Sequence, residues 1–260
     1  MMIIILSTAI VGVLGLFIGI FLGAMSEVLK VEVDEKEVKI RECLPGNNCG
    51  GCGYPGCDGL AAAIAKGEAP ANACPVGGNP VAEKISAILG VKLEKSAKKV
   101  AFVACKGDCT KITKAYNYTG VKDCKLASIV PNKGEKACQN ACLGYGSCVK
   151  ACKFDAIHVI DGVAVVDKEK CKACGACIKA CPNNLIKLVD YDKKHIVTCS
   201  NTDKGPQVLK ACSVSCIACG MCERTCTKGA IKVIDNIATM NEACTDCGDC
   251  AEKCPRKCIS

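Results

Sequence analysis

The chain has no tryptophan, four phenylalanines, five tyrosines and two histidines in 260 residues. An aromatic core is excluded by that shortage. His158 and His195 stand singly in strand-like contexts and read as ordinary surface or core residues, not as ligands or proton carriers. No glycine-rich fingerprint joins a strand to a helix as a dinucleotide site requires, and no motif suggests covalent flavin attachment. Nicotinamide and flavin chemistry are therefore expected on other chains.

Charge is missing from one long stretch. From Ile3 to Met25 the sequence IIILSTAIVGVLGLFIGIFLGAM contains no charged residue, and as a helix it would be about 35 Å long, enough to cross a bilayer. A signal peptide would want Lys or Arg before a shorter apolar run. Here Lys30, Lys36, Lys39 and Arg41 all follow it, which places the remainder on the cytoplasmic side of a cell membrane by the positive-inside rule. A buried core helix is the alternative, although few soluble helices are apolar on every face. The expectation is a single-pass anchor at 1–25, touching the lipid bilayer through residues 3–25, with a charged linker at 26–42.

What the chain has in abundance is cysteine, 27 residues of it. In a short secreted chain that density would announce a disulfide scaffold. This chain is too long to need stapling, and its CxxC runs hold neighbours too close for mutual disulfides. Metal ligation in a reducing compartment is the better reading, with metal binding substituting for part of a hydrophobic core.

The first group, in NCGGCGYPGC, supplies Cys49, Cys52 and Cys57, and Cys74 follows a stretch that reads as a helix ending near Gly67. Glycines around these thiols let the backbone fold tightly and aim N–H groups at sulfur, which suits a [4Fe–4S] cubane; tetrahedral zinc is the alternative. The carboxy-terminal half is a duplication in which cysteines, a strand, a turn, a second strand and cysteines recur. In two-cluster bacterial ferredoxins, C-x2-C-x2-C gives three ligands to one cluster and the next cysteine crosses to its neighbour. That rule groups Cys216, Cys219 and Cys222 with Cys254. It likewise groups Cys244, Cys247 and Cys250 with Cys226, and Cys171, Cys174 and Cys177 with Cys152. The irregular run CQNACLGYGSCVKAC suggests Cys138, Cys142 and Cys148 with Cys181. At least five clusters are expected. A sixth would use Cys105, Cys109 and Cys124, closed by Cys199 or Cys212; the alternative is that these are small buried hydrophobes. Cys43 and Cys258 receive no role.

The fold class expected is α+β. After the anchor come a Gly/Cys-rich 4Fe–4S domain at 43–90, a cysteine-containing connecting segment at 91–137, and tandem two-cluster ferredoxin-like domains at 138–195 and 196–260. The formal net charge of +8 fits either anionic lipid or an acidic docking partner.

LPGNNCGGCGYPGC, the C-P at Cys74, and CLGYGSCVKAC followed by FDAI together resemble the B component of the Rnf complex over nearly the whole chain. The resemblance implies a membrane-bound, ion-translocating ferredoxin:NAD oxidoreductase. In it this component would take electrons from reduced ferredoxin and relay them to flavin-bearing and multi-span membrane subunits, with no complete active site of its own. An anchored polyferredoxin of a hydrogenase or other dehydrogenase is the second reading, and a non-redox zinc-binding interaction module the third. No nucleic-acid partner is expected. Cys152 and Cys226 precede Lys153 and Thr227, where ferredoxins usually carry proline.

Overall fold

The computed structural model describes residues 2–28, 34–92 and 97–260; Lys30, used above to orient the chain, lies outside them. The uncharged amino-terminal sequence forms helix α1 (Met2–Val28), with Val11, Leu16 and Phe17 among its exposed side chains. Among the described residues no helix is long and apolar enough to cross a membrane. The expected transmembrane helix is corrected on that ground, together with the bilayer contact through residues 3–25.

The charged segment expected as a linker contains a helix, α2 (Glu35–Cys43), because Asp34 caps it by accepting from the Lys36 N–H and acidic residues fill its first turn. It packs on α3 (Gly56–Ala65) and α4 (Gly78–Leu89), burying Ile40, Leu60, Ile64 and Ile85 around Cys57 and Cys74. Arg41 ties α2 to α3 by pairing with Asp58. This small unit holds the first cysteine group.

The segment expected only to connect domains carries a strand, β1 (Lys99–Val103), and a one-turn helix, α5 (Cys124–Ser128). A second one-turn helix, α6 (Ser147–Ala151), leads to the hairpin β2 (Ile157–Ile160) and β3 (Val163–Val166), then α7 (Ala176–Ala180) and β4 (Ile186–Asp190). β1 pairs antiparallel with β4, Lys99 opposite Asp190 and Val103 opposite Ile186. Val100, Ile157, Ala164 and Ile186 form the core of this first unit.

Helix α8 (Gly205–Ala211) precedes the second unit, which repeats the plan with α9 (Met221–Thr225), the hairpin β5 (Ile231–Ile234) and β6 (Ile237–Met240), and α10 (Asp249–Glu252). Ile157 opposite Val166 is matched by Ile231 opposite Met240. Two hairpins thus stand where the duplicated sequence reads as strand, turn and strand. Among the described residues the architecture is mixed helix and three two-stranded sheets.

Candidate metal centres

Each C-x2-C-x2-C motif bends in the same way. The residue before its second cysteine is left-handed (Ala173, φ 51°; Ala218, φ 55°; Asp246, φ 60°), as is the glycine after it (Gly175, Gly220, Gly248). Alternation of this kind turns successive N–H groups toward one concavity, a backbone arrangement that favours anions. A short helix then presents the third cysteine.

The resulting cavities carry the thiols that the crossover spacing groups together. Cys152, Cys171, Cys174 and Cys177 line one of about 350 Å³. Cys226, Cys244, Cys247 and Cys250 line another of about 410 Å³. A third, of about 330 Å³, is lined by Cys216, Cys219, Cys222 and Cys254, and also by Cys258. Backbone donors reach the sulfurs at equivalent positions of the two units: Ala156 N to Cys152 Sγ at 3.4 Å, and Ala230 N to Cys226 Sγ at 3.3 Å. Cys171 Sγ accepts from Ala101 N on β1 at 3.3 Å, so the strand from the connecting segment serves the first unit's site.

The irregular run folds differently from its expected grouping. Cys124, not Cys138, shares a cavity of about 350 Å³ with Cys142, Cys148 and Cys181. Asp123 caps α5 and accepts from Ser147 Oγ, while that oxygen accepts from the Cys124 N–H at 3.0 Å, fixing α5 against the start of α6. Asp-Cys at a helix start was the available signal, and no ligand spacing marks it. Cys138 lies instead with Cys105, Cys199 and Cys212 around a cavity of about 300 Å³. The trio Cys105, Cys109 and Cys124 is thus dispersed: Cys109 is exposed, with its Sγ against Gly162, and lines none of these cavities.

In the amino-terminal unit Cys57 and Cys74 are buried, with Cys43 and Cys52 packed against the same core. Asn48 Oδ1 accepts from the Cys57 N–H at 2.7 Å, and Gly77 N donates to Cys74 Sγ at 3.4 Å. Gly51 abuts the other unit's Cys174 so closely that a Cβ there would stand 2.6 Å from the Cys174 carbonyl oxygen. Only glycine admits that approach, which sets the Cys49 to Cys74 group beside the Cys171 to Cys177 loop.

Several of these thiols sit in environments that oppose free thiolates. Burial pushes Cys138 and Cys148 up to about 12, and Cys177 and Cys222 up to about 11. Two go the other way. Cys216 is held down to about 6 by a hydrogen bond from the Cys258 thiol, and Cys226 is lowered by the Ala230 N–H. Bound cations deprotonate the thiols they bind whatever the burial. A tetrahedral zinc would draw four sulfurs to within about 2.3 Å of one point. Thiols spread around a cavity, with N–H groups directed at sulfur, fit a cubane instead.

His195 also proves to be placed rather than incidental. Its Nδ1 lies 2.9 Å from Asp246 Oδ1, its backbone N–H donates to the same oxygen at 2.8 Å, and Lys194 N donates to Oδ2 at 2.7 Å. The pair pins the left-handed residue between Cys244 and Cys247. Its signal was absent from the sequence because 51 residues separate the partners.

Comparison with known proteins accords with this chemistry. Residues 44–76 match the family described as "Putative Fe-S cluster", and residues 164–187 match the "4Fe-4S binding domain" family. The chain is 44% identical to the B component of the Na(+)-translocating ferredoxin:NAD(+) oxidoreductase complex of Acetobacterium woodii, over 99% of this chain and 78% of that protein. It is 42% identical to the B component of the ion-translocating oxidoreductase complex of Methanosarcina acetivorans, over 97% of this chain and 96% of the relative. With the proton-translocating counterpart of Clostridium ljungdahlii the identity is 38%, over 97% and 90%. The chain belongs to the family of Rnf B components. It is an iron–sulfur electron-transfer subunit of an Rnf-type oxidoreductase complex, and its cofactors are of the 4Fe–4S type. Family membership associates it with a membrane complex. The 44–76 match covers α3 and the segments on either side of it, with Cys49, Cys52, Cys57 and Cys74, and the 164–187 match runs from β3 into β4 of the first repeat.

Proposed function

We propose that this Rnf component takes electrons from reduced ferredoxin at the cytoplasmic face of its complex and hands them to flavin-bearing and multi-span partner subunits, with NAD as the final acceptor. The observation that carries the reading is the set of cavities each lined by at least four cysteines. Bound [4Fe–4S] clusters would supply one-electron redox chemistry. The chain's own residues hold and insulate them. The ligand sets proposed are Cys49, Cys52, Cys57 and Cys74; Cys152, Cys171, Cys174 and Cys177; Cys124, Cys142, Cys148 and Cys181; Cys216, Cys219, Cys222 and Cys254; and Cys226, Cys244, Cys247 and Cys250.

The second unit is the proposed docking face for ferredoxin, whose acidic surface would be steered by positive charge. Cys219 and Cys247 are exposed there, whereas Cys174 and Cys177 are half-buried. Lys228, Lys253 and Lys257 are exposed on the same unit, which makes them better candidates than the exposed Lys172 and Lys179 of the first. Opposite charges raise the association rate and lose effect as salt shortens the Debye length to about 8 Å at physiological strength. Stopped-flow reduction of the full chain by ferredoxin tests this. Lys228→Glu with Lys253→Glu should slow it about tenfold at low salt and little at high salt. A rate indifferent to both salt and charge reversal would exclude this face as the docking site.

A further inference from the structure

Four cysteines outside the expected ligand sets of the regular motifs come together from four separate segments. Cys105 follows β1, Cys138 precedes the irregular run's other thiols, Cys199 follows β4 and Cys212 ends α8. The segments are bound to one another: Ile112 bridges to Cys212, Thr113 N donates to Ala211 O at 2.9 Å, and Ser200 Oγ donates to Ala104 O at 3.1 Å. Their cavity of about 300 Å³ is close in size to the 330 Å³ at the regular motif of the second unit.

The surroundings supply what an anionic cluster needs. Cys105 Sγ accepts from Cys142 N at 3.4 Å; Cys199 Sγ accepts from Cys216 N at 3.4 Å and from Asn201 N at 3.5 Å. Asn201 lines the cavity and is 2% exposed, yet its Nδ2 has no hydrogen-bond partner among the described residues. A buried amide donor left unpaired is costly, so its presence calls for an acceptor in the cavity. Lys136 is 4% exposed and its ammonium is held by two neutral carbonyls, Gly107 O at 3.1 Å and Gly162 O at 2.7 Å, the first belonging to a residue that lines the same cavity. A buried cation so placed is balanced by negative charge nearby.

We infer that Cys105, Cys138, Cys199 and Cys212 hold a further [4Fe–4S] cluster, seated between the two ferredoxin-like units. The inference rests on the cluster reading of the other sites. Its location follows from the donors: Cys142 lines the first unit's neighbouring cavity and Cys216 the second unit's, and the N–H of each reaches a sulfur of this centre.

The test uses the full chain, prepared anaerobically, with iron and zinc analysis and EPR of the reduced protein. Wild type should carry about 24 irons, at four per cubane. Cys105→Ala and Cys199→Ala should each lose about four irons and one EPR signal, while Cys109→Ser should lose none. Asn201→Ala, which spares every thiol, should keep the iron and shift one midpoint potential to a more negative value, since a hydrogen bond to the cluster is lost. Full iron and unchanged spectra in both Cys→Ala variants would overturn the inference, as would about 20 irons with one zinc in the wild type. A wild type without iron would instead overturn the reading on which it rests.

Discussion

Cys258 Sγ stands 3.6 Å from Cys254 Sγ and also hydrogen-bonds Cys216, so the centre of Cys216, Cys219 and Cys222 has two thiols where its motif supplies one. Cys258 is only 2% exposed and is held in place by the bridge between Val197 and Ile259. Cys254→Ala should therefore keep most of that centre's iron through Cys258, whereas Cys254→Ala combined with Cys258→Ala should lose about four irons per chain. Iron analysis with reduced-state EPR reads the difference; equal loss in the single and double variants would show that Cys258 cannot substitute. At this scale the placing of Cys226 with Cys244, Cys247 and Cys250 around one cavity is legible in the spacing, because C-x2-C-x2-C recurs in the crossover pattern of two-cluster ferredoxins. The exchange of Cys138 for Cys124 is not. It depends on Ser147 bridging Asp123 to the Cys124 N–H, a contact across 23 residues that no local pattern encodes.

The hairpins carry the duplication at the level of elements. Ile157 and Ile231, each 2% exposed, occupy the same register position in their units. Ile157→Ala should destabilise the first unit by about 2–5 kcal/mol, as large-to-small changes in packed cores do, and Ile231→Ala the second. Denaturant titration followed by the EPR signals of each unit should show the lower midpoint confined to the altered one. A common shift of all signals would mean that the two units unfold together. The hairpins are visible in the sequence because their alternation and turns are local. β1 is not, since its partner β4 lies far along the chain and its Val100 becomes buried only once that pairing forms. The amino-terminal apolar run shows the opposite failure: helix is legible there, but the expected crossing is not supported by the described part of α1.

Across the whole molecule, the centres are joined by contacts between their own backbones and thiols. Gly51 meets Cys174, Cys142 N–H reaches Cys105, and Cys216 N–H reaches Cys199. Composition alone carries the chemical class, because 27 cysteines with few aromatics point to metal-supported folding. Their spatial order, by contrast, emerges only from long-range packing. The central claim is that these thiols hold redox clusters that ferredoxin can reduce. Its most direct measurement is anaerobic titration of the full chain with reduced ferredoxin, followed by bleaching of visible absorbance. The account predicts an uptake of about six electrons per chain, one for each cubane. A colourless, zinc-loaded chain that takes up none would contradict it.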